Sequence, residues 1–211
     1  MKKNLTEIVI IQDESGSMYQ IKSDVEGGLK TFLDAQRKEK GECKITFYSF
    51  SDKATIKHNH VDIGQIGDIT INPSGNTALF DAIGQAINDI GARLSKTKEK
   101  DRPESVLIII STDGCENASK EFTNKQVADM IKHQEDKYSW KFIYLGANQD
   151  AFATGQQYGF KGATSMTYGT DGDSILNTYK CLSMNVASFR AGAGDSSLDF
   201  SQEQRNKAVN K

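Results

Sequence analysis

Three short segments of this chain concentrate residues able to do chemistry. They are Asp13-Glu14-Ser15-Gly16-Ser17-Met18, Ser74-Gly75-Asn76-Thr77 and Ser111-Thr112-Asp113-Gly114-Cys115-Glu116-Asn117. Their side chains are carboxylates and hydroxyls, with no histidine and a single thiol. Oxygen-only donors suit a hard cation such as Mg²⁺ or Mn²⁺. Neutral hydroxyls from Ser15, Ser17 and Thr77 would leave such a cation electron-poor. Carboxylates at Asp13 and Asp113 can orient its bound water. An ion held this way keeps a strong demand for one more anionic oxygen. Plainer roles stand beside these: Asp13, Ser15 and Ser17 can make a turn, and Thr77 can cap a helix. Glu14 and Glu116 are expected as solvated charges on the rim.

The elements that must position these segments follow from apolar patterning. Ile8 to Ile11, Val106 to Ile110 and Phe142 to Leu145 are continuous apolar runs, the pattern of strands buried on both faces in a parallel sheet. Ile45 to Phe50 is a further strand, paired with Ala54 to Lys57 across the turn Ser51-Asp52-Lys53 as an edge hairpin. Ala163 to Tyr168 is the last strand. Ser23 and Glu26 have the spacing of a capping box before a helix carrying Val25, Leu29, Phe32 and Leu33. Leu79, Ile83, Ile87, Ile90 and Leu94 share one helical face. Thr123 and Gln126 make a second capping box. Asp150 starts a short helix ending near Gly159. Asp171 or Asp173 starts one that carries Ile175, Leu182 and Val186 and stops at Gly192.

This alternation predicts an α/β fold: a doubly wound, Rossmann-like open sheet of about six strands, mostly parallel, with helices on both faces. Residues 1–194 are expected as a single domain. Residues 195–211 are a polar tail, or a short helix capped by Ser201 and Gln204. In such sheets ligands bind beyond the carboxyl ends of the strands, which is where two of the three oxygen-rich segments fall.

Composition excludes other classes. Among 211 residues, 26 basic side chains face 28 acidic ones, a net charge of −2, so no basic excess points to nucleic acid. No apolar run approaches the length that spans a bilayer. Glu7 interrupts the apolar stretch after the N-terminal lysines, so no secretory leader is expected. The three cysteines, Cys43, Cys115 and Cys181, are too sparse for a disulfide framework. The expected compartment is the cytoplasm.

The set Asp13-x-Ser15-x-Ser17, Thr77 and Asp113-Gly114 resembles the metal-ion-dependent adhesion site of von Willebrand factor type A domains. All five positions occur in the family's order, on a matching order of elements over roughly residues 5–191. The variant Ser15-Gly16-Ser17-Met18 with Thr112-Asp113-Gly114 looks most like prokaryotic or phage intracellular members. The resemblance implies strand order 3-2-1-4-5-6, the short third strand antiparallel at an edge. It implies Ser15, Ser17 and Thr77 as direct ligands of Mg²⁺, with Asp13 and Asp113 acting through water. A partner protein's Asp or Glu carboxylate would complete the shell. Gln12 departs from the apolar or acidic residue usual before the first Asp, outside the ligand set.

The expected function is therefore a divalent-metal-dependent protein-binding module and not an enzyme, with no nucleic-acid or membrane partner. The alternative is a Mg²⁺-dependent phosphoryl-transfer or hydrolytic enzyme using the same pocket. Against it, Ser15 stands where the haloacid-dehalogenase pattern needs a second Asp. No P-loop or G-x-S-x-G elbow occurs, and no Lys or Arg falls in the three segments. A secreted adhesin fits poorly with the unpaired cysteines. Other motifs read as scaffold. Asn148 and Gln149 follow a strand and could line the rim, with Asp150 a helix cap. Asp171-Gly172-Asp173 is a turn and cap, lacking the later ligands of a calcium loop. His58 and His60 lie on a solvated edge, without a third ligand for zinc. Cys115 has no basic neighbour in sequence to activate it.

Overall fold

Strands whose two faces are both apolar need a helical layer on each side, and the chain supplies both. The computed structural model describes residues 1–147 and 150–210. The strands are β1 (Lys2–Asp13), β2 (Glu42–Phe50), β3 (Ala54–Asp62), β4 (Pro103–Thr112), β5 (Lys141–Ala147) and β6 (Ser165–Tyr168). The helices are α1 (Lys22–Lys38), α2 (Leu79–Lys96), α3 (Asn124–Tyr138), α4 (Ala151–Gln157), α5 (Gly172–Arg190) and α6 (Gln202–Ala208). The sheet order is β3-β2-β1-β4-β5-β6. Only β3 is antiparallel to its neighbour, so the expected order and its antiparallel edge both hold.

The pleat sorts alternate residues of β1 into two cores. Ile8 and Ile10 pack with Val25, Leu29 and Phe32 of α1 and Ile175, Leu182 and Val186 of α5. Val9 and Ile11 pack with Leu79, Ile83 and Ile87 of α2 and Val127 and Ile131 of α3. Each fully buried aliphatic side chain contributes about 1.5–3 kcal/mol, which anchors β1 and β4, enclosed on both faces, firmly in the fold. Among the described residues, no helix is long and apolar enough to cross a membrane.

Several expected caps form. Thr123 and Gln126 make a reciprocal capping box at α3, and Ser201 and Gln204 make one at α6. Asp150 and Asp171 accept the N–H groups of Ala153 and Ser174 at the starts of α4 and α5. The box expected from Ser23 and Glu26 does not form. A 3-10 turn over Gly16–Ile21 leads directly into α1, so no cap is needed there. Glu26 is used elsewhere: its Oε1 accepts the Ile71 N–H at 2.9 Å, holding the long β3–α2 connection.

One further element differs from expectation. β3 continues past Lys57 to Asp62 through two register shifts against β2. His60 sits in one of these irregularities with φ +54°, and its Nδ1 faces the buried Glu7 Oε2 at 3.3 Å. It is thus half-buried and turned inward, not on a solvated edge. Beyond residue 194, of the two expected outcomes, the short helix forms as α6. Leu198, Phe200 and Ala208 join the α1–α5 core, and Arg205 donates to the carbonyls of Ser165, Gly162 and Ala163 beside β6.

Candidate metal centre

β1 and β4 are adjacent, in parallel register with Gln12 opposite Ser111, and here the connectivity reverses direction across the sheet. The carboxyl ends of both strands therefore open into one crevice. Asp13 leaves β1 and Thr112-Asp113 leaves β4 side by side.

The Asp13 carboxylate is fully buried and both its oxygens are engaged. Oδ1 accepts the Ser15 N–H at 2.6 Å, and Oδ2 accepts the Thr112 Oγ1 hydroxyl at 2.6 Å. The Ser15 and Ser17 hydroxyl oxygens are 3.1 Å apart, and the Ser17 hydroxyl donates to Asp113 Oδ1 at 2.7 Å. Thr77 closes the group from the α2 side. A Cβ added at Gly114 would lie 3.4 Å from Thr77 Oγ1 and 3.9 Å from Ser17 Oγ. The structure thus brings Asp13, Ser15, Ser17, Thr77 and Asp113 to one place, and glycine at 114 leaves room between two of the hydroxyls.

This donor set fits a small divalent ion. An octahedral shell at about 2.1 Å places neighbouring ligand oxygens about 3.0 Å apart, close to the Ser15–Ser17 spacing. The electrostatics agree. Burial pushes the Asp13 carboxyl up to about 6, against the lowering effect of its Thr112 and Ser15 hydrogen bonds. Burial also raises Asp113, partly offset by the Ser17 hydroxyl. Two carboxylates desolvated together are costly, and a bound cation would offset that cost. Among the described residues, no three His, Cys, Asp or Glu side chains gather closely enough to hold a metal by themselves. The site depends on its hydroxyls.

The supporting loops are fastened to each other. The Thr77 N–H donates to Asn117 Oδ1 at 2.9 Å, and the Asn117 N–H returns to the Thr77 carbonyl at 3.1 Å. Thr77 is not the cap of α2. Glu116 Oε2 instead accepts the Phe80 N–H at 3.0 Å, and Ser119 Oγ accepts the Asp81 N–H at 3.1 Å. In the other direction, Asp81 accepts the N–H groups of Lys120, Glu121 and Phe122 at 2.8–2.9 Å. Glu116 is therefore a structural cap rather than a solvated rim charge. Glu14 is not solvated either: it is 7% exposed. On the far side, Gly75 adopts φ +73° with the Asp52 carboxylate against it, and its carbonyl accepts the Gly16 N–H at 3.1 Å.

Sequence reasoning left Thr112 and Gln12 without roles. Thr112 supplies the hydroxyl that neutralises one oxygen of Asp13. Gln12 is buried beneath the site; its Nε2 donates to the Asp13 carbonyl at 3.0 Å and its Oε1 accepts the Tyr179 hydroxyl at 3.4 Å. The signal for Thr112 was its place at the end of β4, readable only once β1 and β4 are known to be neighbours. Asn148 and Gln149 lie outside the described residues. Cys115 is exposed, and no cysteine is paired.

No family model matches the chain. No curated protein matches it in sequence. Solved structures do match in shape. Proximal thread matrix protein 1 from the mussel byssus, with a zinc-occupied MIDAS motif, aligns with TM-score 0.60 and 17% identity over 86% of this chain and 46% of that one. A von Willebrand factor type A protein from Catenulispora acidiphila aligns with TM-score 0.60 and 14% identity over 87% and 43%. The vWF domain of the type V pili tip protein Mfa5 from Porphyromonas gingivalis aligns with TM-score 0.60 and 10% identity over 90% and 96%. The chain spans a little under half of the mussel and Catenulispora structures. With six strands in the order 3-2-1-4-5-6, one antiparallel edge and helices on both faces, the chain has the von Willebrand factor type A fold.

Proposed function

We propose that this protein is a divalent-metal-dependent binding module that captures an acidic side chain of a partner protein. Ser15, Ser17 and Thr77 would hold Mg²⁺ or Mn²⁺ directly, and Asp13 and Asp113 would orient its water ligands. A divalent ion bound there supplies attraction for an anionic oxygen. The residues do the rest: Thr112 and the Ser15 N–H fix the Asp13 carboxylate, and Asp113 fixes the Ser17 hydroxyl. The observation that carries this reading is the chain of short contacts from Asp13 through Ser15 and Ser17 to Asp113, with Thr77 alongside. The zinc-occupied MIDAS motif of the mussel protein, on the same fold, supports a divalent ion.

Binding, not turnover, is the reading these contacts favour. Both oxygens of Asp13 are already engaged, which leaves it ill placed as a nucleophile. No Lys or Arg lies in the three site segments to stabilise a transferring phosphoryl group. Three unpaired cysteines, one of them exposed, favour the cytoplasm. Affinity enrichment from the native lysate tests the proposal. Partners should be retained in Mg²⁺ by the wild type, and lost in EDTA or with Ser15→Ala/Ser17→Ala. Equal retention in all conditions would move recognition to another surface.

A further inference from the structure

At the end of the sheet opposite the metal centre, α2, α3 and the amino end of β4 enclose a cavity of about 650 Å³. That size suits a small organic ligand. Leu94, Val106, Tyr138 and Trp140 give it apolar and aromatic surface, and Arg102 and Lys137 give it positive charge. Trp140 is 4% exposed, and its indole N–H has no hydrogen-bond partner among the described residues. Tyr138 is exposed, its ring edge-on to His133 with 5.8 Å between centroids. Two features of this wall are left over by the packing of the fold. Gly91 lies inside α2, where glycine is destabilising relative to alanine. Nothing crowds it, since an added Cβ would meet no atom within 4 Å. It borders the cavity, so its missing side chain leaves helix backbone open to an occupant. Arg102 is the second. Its Nε donates to the Thr97 carbonyl at 2.9 Å and its Nη2 to the Ser95 carbonyl at 3.4 Å. Among the described residues no carboxylate pairs with it, so a half-buried guanidinium is fixed in place without a counter-ion. A charge held partly out of water and unpaired is costly.

We infer that this cavity binds a small aromatic carboxylate. The ring lies against Tyr138, Trp140 and the bare α2 backbone at Gly91. The carboxylate supplies the counter-ion that Arg102 lacks, in a charge-assisted hydrogen bond. Glu99 and Glu104 also border the cavity, and Glu104 Oε2 accepts the Asn4 N–H at 2.7 Å. These two carboxylates repel a ligand of higher negative charge, so a monoanion is favoured over a phosphate. The cavity shares no residue with the metal centre, and its ligand binds without the divalent ion.

Trp140 is the chain's one tryptophan, so its fluorescence reports this cavity. Hydrocinnamate and its neutral amide serve as probes, because a phenyl ring does not absorb where tryptophan is selectively excited. Each is titrated in Mg²⁺ and in EDTA. The acid should give a saturable change with the same Kd in both, and the amide should bind roughly tenfold more weakly. Arg102→Gln should bring the acid to the amide's affinity. Gly91→Leu fills the space beside the α2 backbone and should weaken both probes by roughly tenfold or more, with urea unfolding showing that the variant is folded. Arg102 also holds two carbonyls, so the acid–amide comparison and Gly91→Leu decide the matter if Arg102→Gln does not fold. No saturable response to the acid, equal affinities for acid and amide, or undiminished binding by folded Gly91→Leu would overturn the inference. Loss of the acid in EDTA would place it at the metal centre and overturn the inference as well.

Discussion

Asp81 and Glu116 stand on opposite sides of one seam, and each accepts backbone N–H groups from the other's side. Glu116, on the loop after β4, receives the Phe80 N–H at the start of α2. Asp81, on α2, receives three successive N–H groups from that loop. The seam joins the segment carrying Thr77 to the segment carrying Asp113. The two halves of the candidate site are therefore tied together by backbone hydrogen bonds.

Cutting the seam should loosen the site. Glu116→Ala leaves several N–H groups without their charged acceptor, and each such loss costs about 1–3 kcal/mol. We expect a loss of stability in urea unfolding and a parallel loss of Mg²⁺ affinity by calorimetry. Glu116→Gln keeps one acceptor oxygen and should fall between the two. Unchanged affinity in Glu116→Ala would mean the loops hold their places without the seam.

Thr112→Val replaces a hydroxyl with a methyl group of similar shape. It leaves Asp13 Oδ2 buried without its donor. The unfilled hydrogen bond to a carboxylate should cost about 1–3 kcal/mol, measured by thermal unfolding in EDTA. Mg²⁺ should recover part of that loss, because the cation attracts the same carboxylate. A fully neutral Thr112→Val would show that the hydroxyl does not support Asp13.

Glycines at two positions should respond in opposite directions. Gly75 has φ +73°, and a side chain there would meet Asp52. Gly75→Ala should destabilise by about 1 kcal/mol or more. Gly91 lies within α2, and an added Cβ would meet nothing within 4 Å. Gly91→Ala should stabilise by about 0.5–1 kcal/mol through helix propensity. Chemical denaturation of both variants checks the pair.

Glu7 gives the fold an acid limit. Burial pushes its carboxyl up, but the facing His60 imidazole and the Arg93 guanidinium outweigh that and hold it below 4.5. The unfolded chain therefore binds the proton more readily than the folded one. The stability Glu7 contributes is present above about pH 4.5 and is lost as pH falls through its lower folded value. Glu7→Gln should lower stability at pH 7 by about 3 kcal/mol, since it strands the Arg93 guanidinium. Its stability should also fall less steeply than the wild type's below pH 4.5. Parallel slopes would remove Glu7 as the cause.

What the sequence made legible divides by range. The five oxygen donors were readable because three of them lie within five residues, and the others follow strand and loop signals. The parallel, doubly wound sheet was readable because β1, β4 and β5 are continuous apolar runs, whereas its strand order came only from the resemblance to von Willebrand factor type A domains. Glu116 was misread because its partner Phe80 lies 36 residues away across a loop pairing that no local pattern encodes. Ser23 and Glu26 have the right spacing for a cap, yet the preceding 3-10 turn removes the need for one. His60 turns inward because register shifts in β3 break the alternation that period-two reasoning assumes.

In the proposed function Ser15, Ser17, Thr77, Asp13 and Asp113 together hold one divalent ion. Mn²⁺ titration followed by electron paramagnetic resonance tests it most directly, with acetate present as a surrogate partner carboxylate. One saturable site is expected in the wild type, competed by Mg²⁺, and its loss in Ser15→Ala/Ser17→Ala with unfolding behaviour unchanged in EDTA. Equal Mn²⁺ binding by the wild type and the double variant would contradict it.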